Sequence, residues 1–135
     1  MLILKETIKA KKSCIEISCS PKWYETDTYI MVECVLSKLK KILTNAKEDS
    51  KQVIMICSCS EQAELPPVRN MLQIVKFMLS INNLLKVALN YTILLCLENT
   101  NQELWITRIL SIYTPVRPVY IAHNETEIMN ILQIY

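Results

Sequence analysis

Glycine is absent from the 135 residues, where average usage of roughly 7% would place about nine. Loops that cradle phosphates need glycine for positive φ and for close approach of the backbone to the anion. The Walker loop and the dinucleotide fingerprint are therefore excluded as written motifs. Histidine occurs once, at His123, so any Ser–His or Cys–His nucleophile pair has to use that residue. There is no Cys-x-x-Cys pair, which removes the commonest zinc spacing. No apolar run reaches the roughly 18 residues of a membrane span, because Lys76, Lys86 and Glu98 interrupt the candidates. The formal net charge of +2 is too small to imply nucleic acid.

What is present fits one domain, residues 1–135. Half of the residues are hydrophobic and a fifth are charged, an ordinary globular balance. Cys14, Cys19, Cys34, Cys57, Cys59 and Cys96 invite a disulfide reading, but Met1–Leu4 gives way at once to Lys5 and Glu6, with no secretory signal. Cys34 is read on a helical apolar stripe, and Cys57 and Cys96 within strand runs. The expectation is reduced thiols that pack as small hydrophobes in a cytoplasmic protein.

Periodicity supplies the architecture. Leu2–Thr7 and Ser13–Ser20 read as strands, the second alternating Cys14, Glu16 and Ser18 with Ile15, Ile17 and Cys19. They are expected to pair as an antiparallel hairpin. Val32, Val35, Leu36, Leu39 and Leu43 step as one helix face. Val53–Cys57 is a short buried strand, and Pro66–Pro67 opens a helix whose core stripe is Val68, Met71, Leu72, Val75 and Leu79. Asn82–Asn83 either kinks or ends it. Tyr91–Leu97 is a further strand. A capping box at Thr100 and Glu103 starts a helix carrying Trp105, Ile109 and Ile112. Pro118–Ala122 is the last strand, and Asn124 with Glu127 caps a helix carrying Ile128, Ile131, Leu132 and Tyr135. The order β-β-α-β-α-β-α-β-α predicts a single α/β domain with a mostly parallel sheet and one antiparallel N-terminal strand.

This order, with the closing run RPVYIAHNETEIMNIL at 117–132, resembles the STAS domain of anti-sigma-factor antagonists and sulfate-transporter tails. Certain lipid-binding domains share a related core. The resemblance implies a non-catalytic regulatory module. The family's switch is a Ser or Thr after an Asp at the head of the helix following the third strand. The matching stretch, CSCSEQAELPPVRN at 57–70, has Glu64, Leu65 and Pro66 there. The resemblance thus implies a switch that is lost, or moved to the switch or reactive position formed by Ser58, Cys59 and Ser60.

Other candidates have plainer readings. His123 precedes a helix cap, where histidine is also a common turn residue. Cys57 and Cys59 fall short of a metal set, and no cofactor is implied. Cys59 lies before a helix N-terminus, which favours a thiolate, but no base stands beside it in sequence. Lys9, Lys11, Lys12 and the Lys38–Lys41 cluster have no interleaved aromatics for base stacking. They read as edge protection and a wet helix face.

The most informative feature is an asymmetry. Residues 1–65 hold 10 basic and 9 acidic side chains, whereas 66–135 hold 5 and 4. The helix after Pro67 adds Ile74, Phe77, Met78 and Ile81 to its core stripe, leaving Gln73, Lys76 and Ser80 as a narrow polar strip. One reading sandwiches that helix deep in the core. Another makes Ile74, Phe77, Met78 and Ile81 the interface of a homodimer or protein partner. A third gives the face to a small apolar ligand or lipid. The sequence thus predicts a protein-interaction module and no enzyme, with an apolar-ligand carrier as the alternative.

Overall fold

The computed structural model describes residues 2–19, 28–59, 66–97 and 102–135, without the side chains of Cys19, Cys59, Gln102 and Trp105. The chain runs β1 (Leu2–Lys9), β2 (Lys12–Cys19), α1 (Thr28–Glu48), β3 (Val53–Cys59), α2 (Val68–Ser80), α3 (Asn82–Ala88), β4 (Leu89–Leu95), α4 (Gln102–Ile112), β5 (Val119–Ala122) and α5 (Glu125–Ile134). This is the expected α/β order, with the helix after Pro67 split in two. α2 and α3 meet at a bend of 69°. The break falls at Ile81, with φ −113° and ψ 20°, just before Asn82–Asn83, where the Ile81 N–H donates to the Phe77 and Met78 carbonyls at 3.2 and 3.3 Å.

Turns that glycine would serve are made without it. Ala10 and Lys11 take φ 49° and 63° to close the β1–β2 hairpin, as a two-residue turn with positive φ at both positions requires. Ser50, at φ 54°, ends α1 while the Lys51 N–H donates back to the Ala46 carbonyl over 2.8 Å.

The five strands lie in sequence order, β1-β2-β3-β4-β5. β1 is antiparallel to β2, and every later neighbour is parallel. Right-handed crossovers that always advance in one direction deposit their helices on the same face. α1, α2 and α3 accordingly pack with Ile15, Val53 and Met55 of the sheet, and α4 shares this face. Among the described residues α5 is the helix that packs on the other face, with Ile128 and Leu132 over Cys14, Ile54, Ile56, Tyr91 and Ile93. The winding never reverses, so the sheet has no topological switch point of the kind that opens a ligand crevice in doubly wound folds.

The β1–β2 end of the second face is polar. Lys9 Nζ lies 2.9 Å from Glu16 and 3.9 Å from Glu125 of α5, and Lys12 Nζ donates to the Leu132 carbonyl. Partial burial raises the Glu16 carboxyl, but the hydrogen bond from Lys9 and the nearby lysine charges outweigh it and hold the group below its ordinary 4.5. The same hydrogen bond holds the Lys9 ammonium above its ordinary 10.5. A depressed carboxyl stabilises the fold above its unfolded value and loses that contribution as pH falls through the folded one. Lys9→Met is therefore expected to cost about 1 kcal/mol at neutral pH. That deficit should close as pH falls below 4.5. Urea denaturation across pH checks this; a deficit unchanged into acid would rule the pair out as its source.

Candidate functional site

Eight of the thirteen residues of α2 are apolar, so it has more apolar surface than one stripe on a sheet requires. Its neighbours decide which positions turn inward. On one flank, Gln73 Nε2 donates to the Tyr29 carbonyl at 2.8 Å and to Glu33 Oε1 at 3.2 Å. Asn70 Nδ2 reaches Gln73 Oε1 at 3.4 Å, and the Arg69 guanidinium stands 4.5 Å over the Tyr29 ring. These contacts seal α2 against α1 and bury Gln73, which the sequence had placed on a solvated strip.

The expected faces are thereby transposed. Ile81 is buried and Phe77 half-buried, both packed with α1 and α3. Ile74 and Met78 are half-buried as well. Of the stripe assigned to the core, Met71 and Val75 are buried, but Val68, Leu72 and Leu79 are 65%, 52% and 53% exposed. Ile81 is thus enclosed in the core, and half-buried Ile74, Phe77 and Met78 lie on the inward side of α2. The reason is that α2 is flanked on both sides, so its inward arc is wider than a sheet alone would make it.

Ile74 and Met78 nevertheless reach a cleft. It lies between α2, α4 and the sheet, neither enclosed nor flat, with a volume of about 120 Å³. The sheet supplies Met55 and Cys57 from β3, Thr92 and Leu94 from β4, and Val119 from β5. α2 supplies Ile74, Val75 and Met78; α4 and the residue after it supply Ile106, Ile109, Leu110 and Tyr113. No carboxylate, ammonium, guanidinium or imidazole lines it. Burial pushes the Tyr113 phenol above its ordinary 10.0, so it stays neutral. Such a surface can exclude water and grip apolar groups; its protic side chains are the Cys57 thiol, the Thr92 hydroxyl and the Tyr113 phenol. Leu110, 39% exposed, marks the mouth.

Sequence reasoning missed the α4 wall. Ile106, Ile109, Leu110 and Tyr113 carry the i, i+3, i+4, i+7 spacing of a helix face, but the competing stripe Trp105, Ile109, Ile112 was read instead. Ile112 is 50% exposed.

The remaining candidates are not drawn together into a site. Ser58 pairs in register with Ser18 and Leu95 and is half-buried; as the neighbour of Cys57 it faces away from the cleft. The Cys59 side chain and Ser60 lie outside the described residues, as does Thr100. His123 Nδ1 lies 3.1 Å from Glu127 Oε2, and the same oxygen accepts the His123 backbone N–H. Asn124 Oδ1 accepts from Glu127 N at 2.9 Å. His123 therefore belongs to the cap of α5.

Burial pushes the Cys14 and Cys96 thiols above their ordinary value, as suits packing cysteines and not nucleophiles. Cys34 is exposed, against its expected place on the buried stripe of α1. Among the described residues no group of three His, Cys, Asp or Glu could hold a metal ion. No single helix among them is long and apolar enough to cross a membrane. Neither the family models nor the curated proteins nor the solved structures contain a match to this chain.

Proposed function

We propose that this chain is a non-catalytic protein-interaction module that receives apolar side chains of a partner in the cleft between α2 and α4. The observation that carries the reading is the cleft's size together with its lining. A volume of about 120 Å³ accepts one or two aliphatic or aromatic side chains. It falls well short of the roughly 300–1,000 Å³ typical of small-molecule sites. Apolar anchors seated in well-packed pockets dominate binding energy at protein interfaces. This size argument places a protein side chain ahead of a free lipid, although the lining alone suits either. A STAS-like regulatory role belongs to the same proposal and agrees with a mainly aliphatic recess that suits packing.

Leu110→Glu tests it, because the residue sits at the mouth and is partly exposed. A charge there is expected to weaken partner binding by 2 kcal/mol or more, about thirtyfold, while thermal melting stays close to wild type. The measurement is affinity capture with wild type and variant, followed by titration of the purified partner. Partners retained equally by both proteins would remove the cleft from the interaction. An apolar small molecule carried through purification and seen by native mass spectrometry would instead favour the ligand-carrier reading.

A further inference from the structure

The outward side of α2 and α3 has a composition distinct from the cleft. Residues 66–97 contain Arg69, Lys76 and Lys86 and not one acidic residue. Val68, Leu72 and Leu79 of α2 and Val87 of α3 are each more than half exposed. Lys76 and Lys86 are exposed beside them. On helical spacing Lys76 follows Leu72 by one turn and precedes Leu79 by one, so base and aliphatics share the outward arc.

We infer that this α2–α3 surface docks on an anionic lipid bilayer, lying on the membrane and not crossing it. Two observations select that occupant. The charge is of one sign over the whole segment, which complements phosphatidylserine or phosphoinositide headgroups. The aliphatics are separated by lysines and accompanied by no exposed aromatic on these two helices. Protein interfaces deplete lysine and enrich aromatics at their centre, whereas a bilayer takes aliphatics below the headgroups while lysines reach up to the phosphates. The inference goes beyond the cleft reading and uses other residues, so each can fail alone.

The test is co-sedimentation of the full chain with two kinds of vesicle, phosphatidylcholine alone and phosphatidylcholine with about one third phosphatidylserine. The protein is expected to sediment with the anionic vesicles, several-fold less with the neutral ones, and less again as salt rises. Lys76→Gln with Lys86→Gln is expected to weaken partitioning about thirtyfold, each lost charge counting for roughly fivefold. Leu72→Gln with Leu79→Gln is expected to lose it as well. All four positions are exposed, and a wild-type melting curve confirms that the variants fold. Equal binding to both vesicle types, or variants that bind like wild type, overturns the inference. So does a concentration-dependent dimer in light scattering that Leu72→Gln with Leu79→Gln abolishes, since a second copy would then cover this face.

Discussion

Ile81→Asp and Phe77→Asp are each expected to unfold the protein, while Leu72→Asp leaves it folded. All three lie on α2 or at its end, and a sequence pattern alone would make Leu72 the core residue. Ile81 is 4% exposed in the cluster that joins α1, α3 and β3, and Phe77 packs against both that cluster and the Val32–Leu36 pair. Truncating a fully buried isoleucine such as Ile81 costs about 2–5 kcal/mol. Half-buried Phe77 loses part of the roughly 3–5 kcal/mol of a buried phenylalanine, and a carboxylate in place of either adds desolvation. Total stabilities run only about 5–15 kcal/mol, so either substitution consumes most of what holds the fold. Leu72, 52% exposed, loses little water-excluded area on substitution, and a shift within about 1 kcal/mol is expected. Far-UV circular dichroism with urea titration separates the outcomes. A folded monomeric Phe77→Asp would return that residue to the surface and restore it as an interface candidate.

Why one face was legible and the other not is visible in this helix. Periods of two and of 3.6 located the strands and helices, because β-branched runs such as Val53–Cys57 and stripes such as Val32–Leu43 each fit one period only. Asn82–Asn83 and Pro66–Pro67 marked real breaks. Periodicity, however, fixes only relative angle around a helix. With eight apolar positions in thirteen, two overlapping arcs in α2 each look like a core face. The choice between them was made by Gln73, whose amide is held by Tyr29 and Glu33 of a helix some forty residues away in sequence. A glutamine amide carries no periodic signal of a long-range partner. α4 shows the same ambiguity on a smaller scale, since Ile109 belongs to both of its stripes.

The cleft was beyond reach for a related reason. It needs the consecutive strand order that sets α2 beside α4, and nothing in the pattern distinguishes that order from one that reverses. The order also bears on function. With no reversal among β2–β5, the described sheet has no switch-point crevice of the kind where open α/β sheets place ligand sites. The cleft lies instead on the covered face, walled mainly by aliphatic side chains that pack.

The unequal cover of the sheet leads to the second large effect. Among the described residues four helices share the first face, but α5 alone packs over the second. At ten residues it is too short to persist as an isolated helix, so its contacts and caps hold it. Asn124 accepts the Glu127 N–H at one end, and Lys12 donates to the Leu132 carbonyl near the other, where a cation also meets the negative end of the helix dipole. Ile128 and Leu132, 1% and 0% exposed, lie one turn apart on its inner side. Each truncation to Ala costs about 2–5 kcal/mol, and because they share neighbours the pair need not add. Ile128→Ala with Leu132→Ala is therefore expected to remove most of the stability and leave Ile54, Ile56 and Ile93 open to water. Ile134→Ala, at a position 72% exposed, should change it by less than about 0.5 kcal/mol. Urea denaturation together with amide hydrogen exchange in β3 and β4 measures both. If the double variant lost under about 2 kcal/mol, less than one such truncation, those strands would have to be protected by something besides α5.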